Sequence, residues 1–175
     1  MHCTFSIMRL GCGVSPMTKL VNAGINVCLG TDGQGSGDNF SMFELMRIAS
    51  YLQKGVNADS NLLDSYDALK MATINGAKAL GIENKTGSIE VGKNADLNIL
   101  FFRSINMYPI NNPIDNIVYN ATDDEIETTI INGKIVREKN NFVNLKKDEL
   151  LNSMEQIRKN MSKYLEKAIK DSSKR

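Results

Sequence analysis

Apolar residues recur at two different spacings along the chain, and the spacing found first is typical of an α-helix. Residues 17–23 predict a short helix closed by Gly24, and residues 41–54 predict a longer amphipathic helix that ends at Gly55. Between them, the apolar run 25–30 predicts a buried strand. A helix that leads directly into a strand is typical of α/β folds.

Two further helical pieces follow before the spacing changes. Asp64 or Ser65 can cap a helix that runs through about Met71, and residues 75–80 continue as a second piece that ends at Gly81. Beyond about residue 82 apolar residues alternate as they do in strands, at Ile89, Val91, Leu97, Ile99 and Phe101. The chain therefore divides into an α/β part and a small β part.

The end of the chain carries two strong local patterns. Asn132-Gly133 lies between two β-rich runs and predicts a two-residue hairpin. Residues 147–170 predict a helix, and the last few residues are expected to fray. Its apolar positions alternate spacings of four and three and form a seam at Leu150, Met154, Ile157, Met161, Tyr164 and Ala168.

Composition excludes several classes of protein. A net charge of +1 gives no electrostatic reason to expect nucleic acid or an anionic membrane as a partner. No stretch approaches the roughly 20 apolar residues of a membrane helix, and the N-terminus lacks the pattern of a signal peptide. Cys3, Cys12 and Cys28 have no zinc-ligand spacing, so we expect reduced thiols in a cytoplasmic protein.

One carboxylate stands out as a candidate for chemistry. Asp32 follows the predicted strand and lies between Gly30-Thr31 and Gly33, where glycines permit unusual backbone angles. The carboxyl ends of buried parallel strands carry the catalytic groups of barrel enzymes. Asp-Gly is also a common turn pair, so the local pattern leaves both interpretations open.

Four segments of the chain stand out, in this order: Gly30-Thr-Asp-Gly33, Ala72-Thr-Ile-Asn-Gly-Ala-Lys-Ala-Leu-Gly81, Gly87-Ser-Ile-Glu-Val-Gly-Lys-Asn-Ala-Asp-Leu97 and Thr129-Ile-Ile-Asn-Gly-Lys-Ile-Val136. Together they resemble the amidohydrolase superfamily, and above all its 5-methylthioadenosine/S-adenosylhomocysteine deaminase branch. The first segment, with Ser36 and the helix 42–47 after it, resembles the last barrel strand of that family, and the second resembles the helix beyond the active-site loop. The third resembles the return to the small β-domain, and the fourth resembles the closing hairpin of that domain.

The resemblance implies a fold and a division into parts. Residues 1–82 would form the last strands and helices of a (β/α)8 metal-dependent hydrolase barrel. Residues 83–144 would form part of a small β-sandwich domain, and residues 145–175 a C-terminal amphipathic helix. The implied activity is hydrolytic deamination of an adenosine-type or related amino-heterocycle.

The resemblance also implies roles for individual residues. Asp32 aligns with the aspartate that contacts both the metal and the attacking water, and it would take up the proton of that water. His2, in Met1-His-Cys-Thr-Phe-Ser6, resembles the histidine of a His-Cys/Asn-Pro-x-Ser-Asn segment at the end of the sixth strand, which orients substrate, although Thr4 and Ile7 depart from that pattern. Ser36 and Thr31 are weaker candidates for contacts to substrate, and as loop-stabilising hydroxyls they need no such role.

The resemblance implies a divalent metal as cofactor, with zinc favoured over iron. We expect that this chain alone cannot hold the metal tightly. Such a site needs three or more protein ligands, and the sequence contains a single histidine, which matches none of the family's metal ligands. Part of a barrel also leaves strand edges unpaired. We therefore expect a partner, either a chain that carries the N-terminal half of the barrel or further copies of this chain, and no activity from this chain alone.

Two alternatives remain at this stage. The chain could be a non-catalytic interaction module derived from the same family, with the seam in 147–170 as its surface. A free-standing enzyme with a cysteine nucleophile is disfavoured, because no second histidine beside His2 is available to activate a thiol.

Overall fold

The structure is a computed structural model that describes residues 1–139 and 141–172. Short helices and loops make up the first 80 residues, and a small antiparallel sheet and a long terminal helix follow. The earlier helices are α1 (Thr4–Arg9), α2 (Met17–Asn22), α3 (Gln34–Gly37), α4 (Met42–Asn57), α5 (Ser65–Ala72) and α6 (Ile74–Ala79). Asp64 caps α5 as predicted, since its carboxylate accepts the Asp67 N–H at 2.8 Å.

The sheet has four strands in the order β1-β2-β3-β4, all antiparallel. These are β1 (Leu97–Leu100), β2 (Ile126–Ile131), β3 (Lys134–Glu138) and β4 (Asn141–Phe142), and the helix α7 (Pro113–Asp115) with short 3-10 and π turns lies between β1 and β2. The predicted Asn132-Gly133 hairpin joins β2 to β3, and both residues have the positive φ that such a turn requires.

The apolar core lies where α4 and α5 pack against residues 27–29 and the segment before β2. Leu45, Ala49 and Ala68 are completely buried, as are Met107 and Val118. The predicted apolar face of α4 therefore faces this core. Two hydrogen bonds tie α4 to the turn before β2: Arg47 donates to the Ala121 carbonyl at 2.7 Å, and the Ser41 hydroxyl donates to Asp123 at 3.2 Å.

The predicted strand 25–30 was too long. Among the described residues this segment forms one parallel bridge, between His2 and Leu29, and Ile25 is 51% exposed. On the side of this segment opposite His2, two backbone groups have partners, which differs there from the expectation of an unpaired edge. The Leu29 N–H donates to the Met71 carbonyl at 3.0 Å, and the Asn75 side chain donates to the Val27 carbonyl at 2.8 Å. Helical residues thus occupy the edge opposite His2.

Two other local predictions were wrong. Helix α4 continues past Gly55 and ends at Asn57, and it is capped by Ala58, which takes the left-handed conformation with φ of 51°. Ile89 and Val91 belong to no strand and are 87% and 108% exposed. They lie in a turn that Lys93 stabilises, because its ammonium donates hydrogen bonds to the Ser88 hydroxyl and to the Glu90 carboxylate.

The terminal helix, α8 (Lys147–Ser172), confirms the predicted helix at residues 147–170. The apolar residues that can be described along its seam are all exposed, from 43% at Leu150 to 75% at Tyr164. The side chain of Ala168 and residues 173–175, on which two predictions fall, lie outside the described part of the chain. None of the described helices combines the length and the apolar character needed to cross a membrane.

Candidate active site

Parallel pairing of two short segments brings the candidate residues to one end of the fold. The His2 N–H donates to the Cys28 carbonyl at 2.7 Å, and the Gly30 N–H donates to the His2 carbonyl at 3.0 Å. Because the two segments run in the same direction, α1 begins at the same end at which the second segment reaches Asp32. The sequence predicted this carboxylate at a strand end, and it lies three residues beyond the bridge.

Asp32 has a strained backbone and a stabilised negative charge. Its φ of 61° is in the left-handed region, which residues other than glycine rarely adopt. Its carboxylate accepts the Gly33 N–H at 2.7 Å, and this hydrogen bond, with the nearby Ser6 and Ser36 hydroxyls, lowers the pKa of Asp32. The Ser6 hydroxyl lies close enough to act on the charge without forming a hydrogen bond of good geometry. The exposed carboxylate is therefore ionised at neutral pH.

His2 is held in the interior and is neutral. The residue is 6% exposed, and its Nε2 atom is buried and has no hydrogen-bond partner in the part of the chain that the structure describes. Burial lowers the pKa of His2, and the nearby terminal ammonium lowers it further. At neutral pH the ring therefore carries no charge, and it can act through a hydrogen bond but not as a cation.

The sequence did not predict that two further residues, Cys3 and Ser6, lie near Asp32. Burial raises the pKa of the Cys3 thiol and the charge of Asp32 raises it further, so Cys3 stays protonated and is a poor nucleophile. Ser6 was noted only as part of the His2 segment, and that shared segment was the available indication of its position. Ser36, a predicted candidate, lies in α3 beside Asp32, whereas the Thr31 hydroxyl contacts only the Asp32 carbonyl, at 3.4 Å.

The residues at this end do not by themselves fit a metal ion. Among residues 1–139 and 141–172, no three His, Cys, Asp or Glu side chains lie close enough together to hold one. Asp32 offers one carboxylate, and firm binding needs several ligands. A cavity of about 280 Å³ lies elsewhere, between α2, α5 and α6, and is lined by Asn26, Lys70 and Lys78 among others. The geometry around Asp32 alone thus fits both a turn and a catalytic carboxylate.

Comparisons with known proteins identify the family to which the chain is similar. A model of the amidohydrolase family matches residues 1–136. A 5-methylthioadenosine/S-adenosylhomocysteine deaminase of Acetivibrio thermocellus is 38% identical over 158 residues, which are 90% of this chain and 37% of that protein. The deaminase of the same name from Thermococcus onnurineus is 44% identical over 135 residues, 77% of this chain and 31% of that protein.

A solved structure agrees with the sequence comparisons. The zinc-bound adenosine deaminase of Xanthomonas campestris superposes with a TM-score of 0.90 at 31% identity, over 93% of this chain and 37% of that one. The chain thus spans about a third of the length of the curated relatives it matches. The expected α/β class and relationship are confirmed at this level, and the division into barrel and sandwich parts stays a prediction.

Proposed function

The chain belongs to the amidohydrolase family, and from that premise we propose that it forms the Asp32-bearing portion of a deaminase. The proposed reaction is hydrolysis of the exocyclic C–N bond of an adenosine-type amino-heterocycle. The observation that carries the proposal is an ionised carboxylate directly beyond a parallel-paired segment, within the part of the chain that matches the family. The substrate class comes from relatives named as 5-methylthioadenosine/S-adenosylhomocysteine deaminases.

Asp32 is the proposed proton carrier. An ionised carboxylate can take a proton from the attacking water and pass it to the departing amine. The Gly33 N–H and the neighbouring hydroxyls keep Asp32 charged at neutral pH, but they also make it a weak base towards ordinary water. Proton transfer to Asp32 therefore needs a water that has already been acidified by groups outside the described residues. The described residues do not fit a metal, so the proposal assigns no step to one.

His2 is proposed to orient the substrate. A neutral imidazole can form a hydrogen bond to a ring nitrogen or to the departing amine without adding charge. The buried Nε2 atom has no hydrogen-bond partner among the described residues, so it is the ring nitrogen proposed for this contact, which requires the substrate to enter the space beside it. Ser36 is proposed as a weaker contact on the same side, because its hydroxyl already lies beside the Asp32 carboxylate.

Complementation tests the proposal. The chain is mixed with a polypeptide that carries the remaining residues of the Acetivibrio relative, zinc is added, and release of ammonia is measured with 5-methylthioadenosine, S-adenosylhomocysteine and adenosine. We expect no ammonia from this chain alone and release from the mixture. If a mixture that associates and binds zinc stays inactive with all three compounds, the proposed function is wrong.

A conservative substitution then tests the role of Asp32. Asp32→Asn keeps the size of the side chain and removes its charge, so we expect activity of the mixture to fall by about 10² to 10⁴. Asp124→Asn is the matched control, because Asp124 is an exposed aspartate in the turn before β2. Equal activity of the two variants would remove Asp32 from the mechanism while leaving the family assignment intact.

A further inference from the structure

Helices α1 and α3 touch at Gly37, where there is no space for a side chain. A Cβ atom added to Gly37 would lie 2.8 Å from the Thr31 carbonyl oxygen and 3.4 Å from both the Phe5 Cβ and the Ser6 Oγ. Gly37 is not among the residues with positive φ, so its backbone does not require glycine. Glycine is needed at position 37 only because α1 and α3 approach each other too closely there for a side chain.

This contact is joined to Asp32 from both sides along the chain. Thr31, whose carbonyl faces Gly37, directly precedes Asp32. After Asp32, the carbonyl of Gly33 accepts the N–H groups of Ser36 and Gly37 at 3.0 and 3.1 Å. The N–H of the same Gly33 holds the Asp32 carboxylate at 2.7 Å. A shift of α3 away from α1 would therefore move the groups on both sides of the carboxylate.

A second contact acts at the far end of α3. Arg9 at the end of α1 forms an ion pair with Asp38, which follows Gly37 directly. The side chains are 48% and 61% exposed, so the pair contributes little energy by itself. It joins the end of α1 to the residue that follows α3.

We propose that Gly37 is a positioning residue for Asp32, because it seats α3 against α1 and so fixes the direction of the carboxylate and keeps the Ser6 hydroxyl beside it. The catalytic meaning of this contact rests on the proposed function. The geometric claim does not, because it concerns only atoms of this chain.

Nuclear magnetic resonance of the full chain tests the claim without an activity assay. The readouts are the Gly33 amide proton, which reports its bond to Asp32, and the side-chain carboxyl carbon of Asp32. We expect Gly37→Ala to shift both resonances and to speed solvent exchange of the Gly33 amide about tenfold. Gly35→Ala is the matched control in the same helix, because a Cβ there meets nothing within 4 Å. It should leave both resonances in place.

The outcomes separate cleanly. The proposal is overturned if Gly37→Ala folds with unchanged Gly33 and Asp32 resonances, or if Gly35→Ala shifts them equally. If Gly37→Ala does not fold, Ser6→Ala decides, since it removes the hydroxyl without adding an atom. A shifted Asp32 carboxyl resonance in that variant supports the contact, and an unshifted one overturns it. Failure of complementation leaves all these readouts unaffected, so the two proposals fail independently.

Discussion

Glu125 offers a direct test of how the sheet is joined to the helices. It is only 4% exposed, in the turn immediately before β2. Its carboxylate accepts three hydrogen bonds, from the Thr122 N–H at 2.7 Å, the Thr122 hydroxyl at 2.8 Å and the Ser104 hydroxyl at 2.8 Å. Its backbone carbonyl accepts the Phe101 N–H at 2.7 Å. Glu125→Ala would leave the three side-chain partners without their acceptor.

The expected loss follows from these bonds. A hydrogen bond to a charged group contributes about 1.5–3 kcal/mol, and bonds that share one acceptor are not additive. We therefore expect Glu125→Ala to lower the free energy of unfolding by about 3–5 kcal/mol at neutral pH. Glu125→Gln keeps the shape and one acceptor oxygen, and should cost about 1–2 kcal/mol. Domains have about 5–15 kcal/mol in total, so the alanine variant should be visibly less stable.

The same residue predicts a pH dependence. Burial alone would raise the pKa of Glu125, but the bonds from the Thr122 N–H and the Ser104 and Thr122 hydroxyls outweigh it, and the pKa lies below the ordinary value of 4.5. A folded-state pKa below the unfolded one gives stability that is present above the unfolded value. That stability is lost as the pH falls through the folded value. The advantage of wild type over Glu125→Gln should therefore shrink as the pH falls below the ordinary value of 4.5 and through the lower folded-state pKa.

Urea unfolding followed by circular dichroism, at neutral pH and at a series of acidic values, measures both effects. An alanine variant that loses less than about 1 kcal/mol would show that the carboxylate is not the anchor of this turn. A difference between wild type and Glu125→Gln that stays constant on acidification would refute the assigned direction of the pKa shift.

Three further substitutions test the core, the hairpin and a helix cap by the same measurement. Leu45 is completely buried, so Leu45→Ala should cost about 3–5 kcal/mol, against almost nothing for Leu151→Ala at a half-exposed position. Gly133 has φ of 75°, so Gly133→Ala should cost about 1 kcal/mol, whereas Gly76→Ala, in α6 with open space around it, should stabilise by about 0.5–1 kcal/mol. Asp64→Ala removes the cap of α5 and should cost about 1 kcal/mol. The core assignment would be contradicted if Leu45→Ala lost no more free energy of unfolding than Leu151→Ala. The hairpin assignment would be contradicted if the two glycine variants changed that free energy in the same direction, and the cap assignment if Asp64→Ala left it unchanged.

Features set by neighbouring residues were the ones that the sequence predicted well. The Asn132-Gly133 turn and the Asp64 cap depend on a few adjacent residues, and both formed as expected. The strand at residues 25–30 depended on partners, and the described chain supplies one bridge to His2 on one side and helical groups on the other. The strand expected from the alternation at Ile89 and Val91 does not form for the same reason, because periodicity does not identify the strand with which a segment would pair.

The candidate site divides in the same way. The position of Asp32 beyond a paired segment could be predicted, because its flanking glycines and the apolar run before it are adjacent in sequence. The surroundings of Asp32 could not be predicted. Ser6 lies near Asp32, and Gly37 packs against Thr31 and Ser6, across a contact between α1 and α3 that no local pattern encodes. The neutral state of His2 depends on burial, which requires the whole fold.

The helical cover over Val27 and Leu29 has a consequence for self-assembly. A β-edge recruits a foreign strand by offering a row of free amide and carbonyl groups, as in amyloid growth. Here the Leu29 N–H donates to the Met71 carbonyl, and the Asn75 side-chain amide donates to the Val27 carbonyl. An incoming strand would have to break both bonds before it gained any of its own. This side of the segment is thus protected against templated fibre formation.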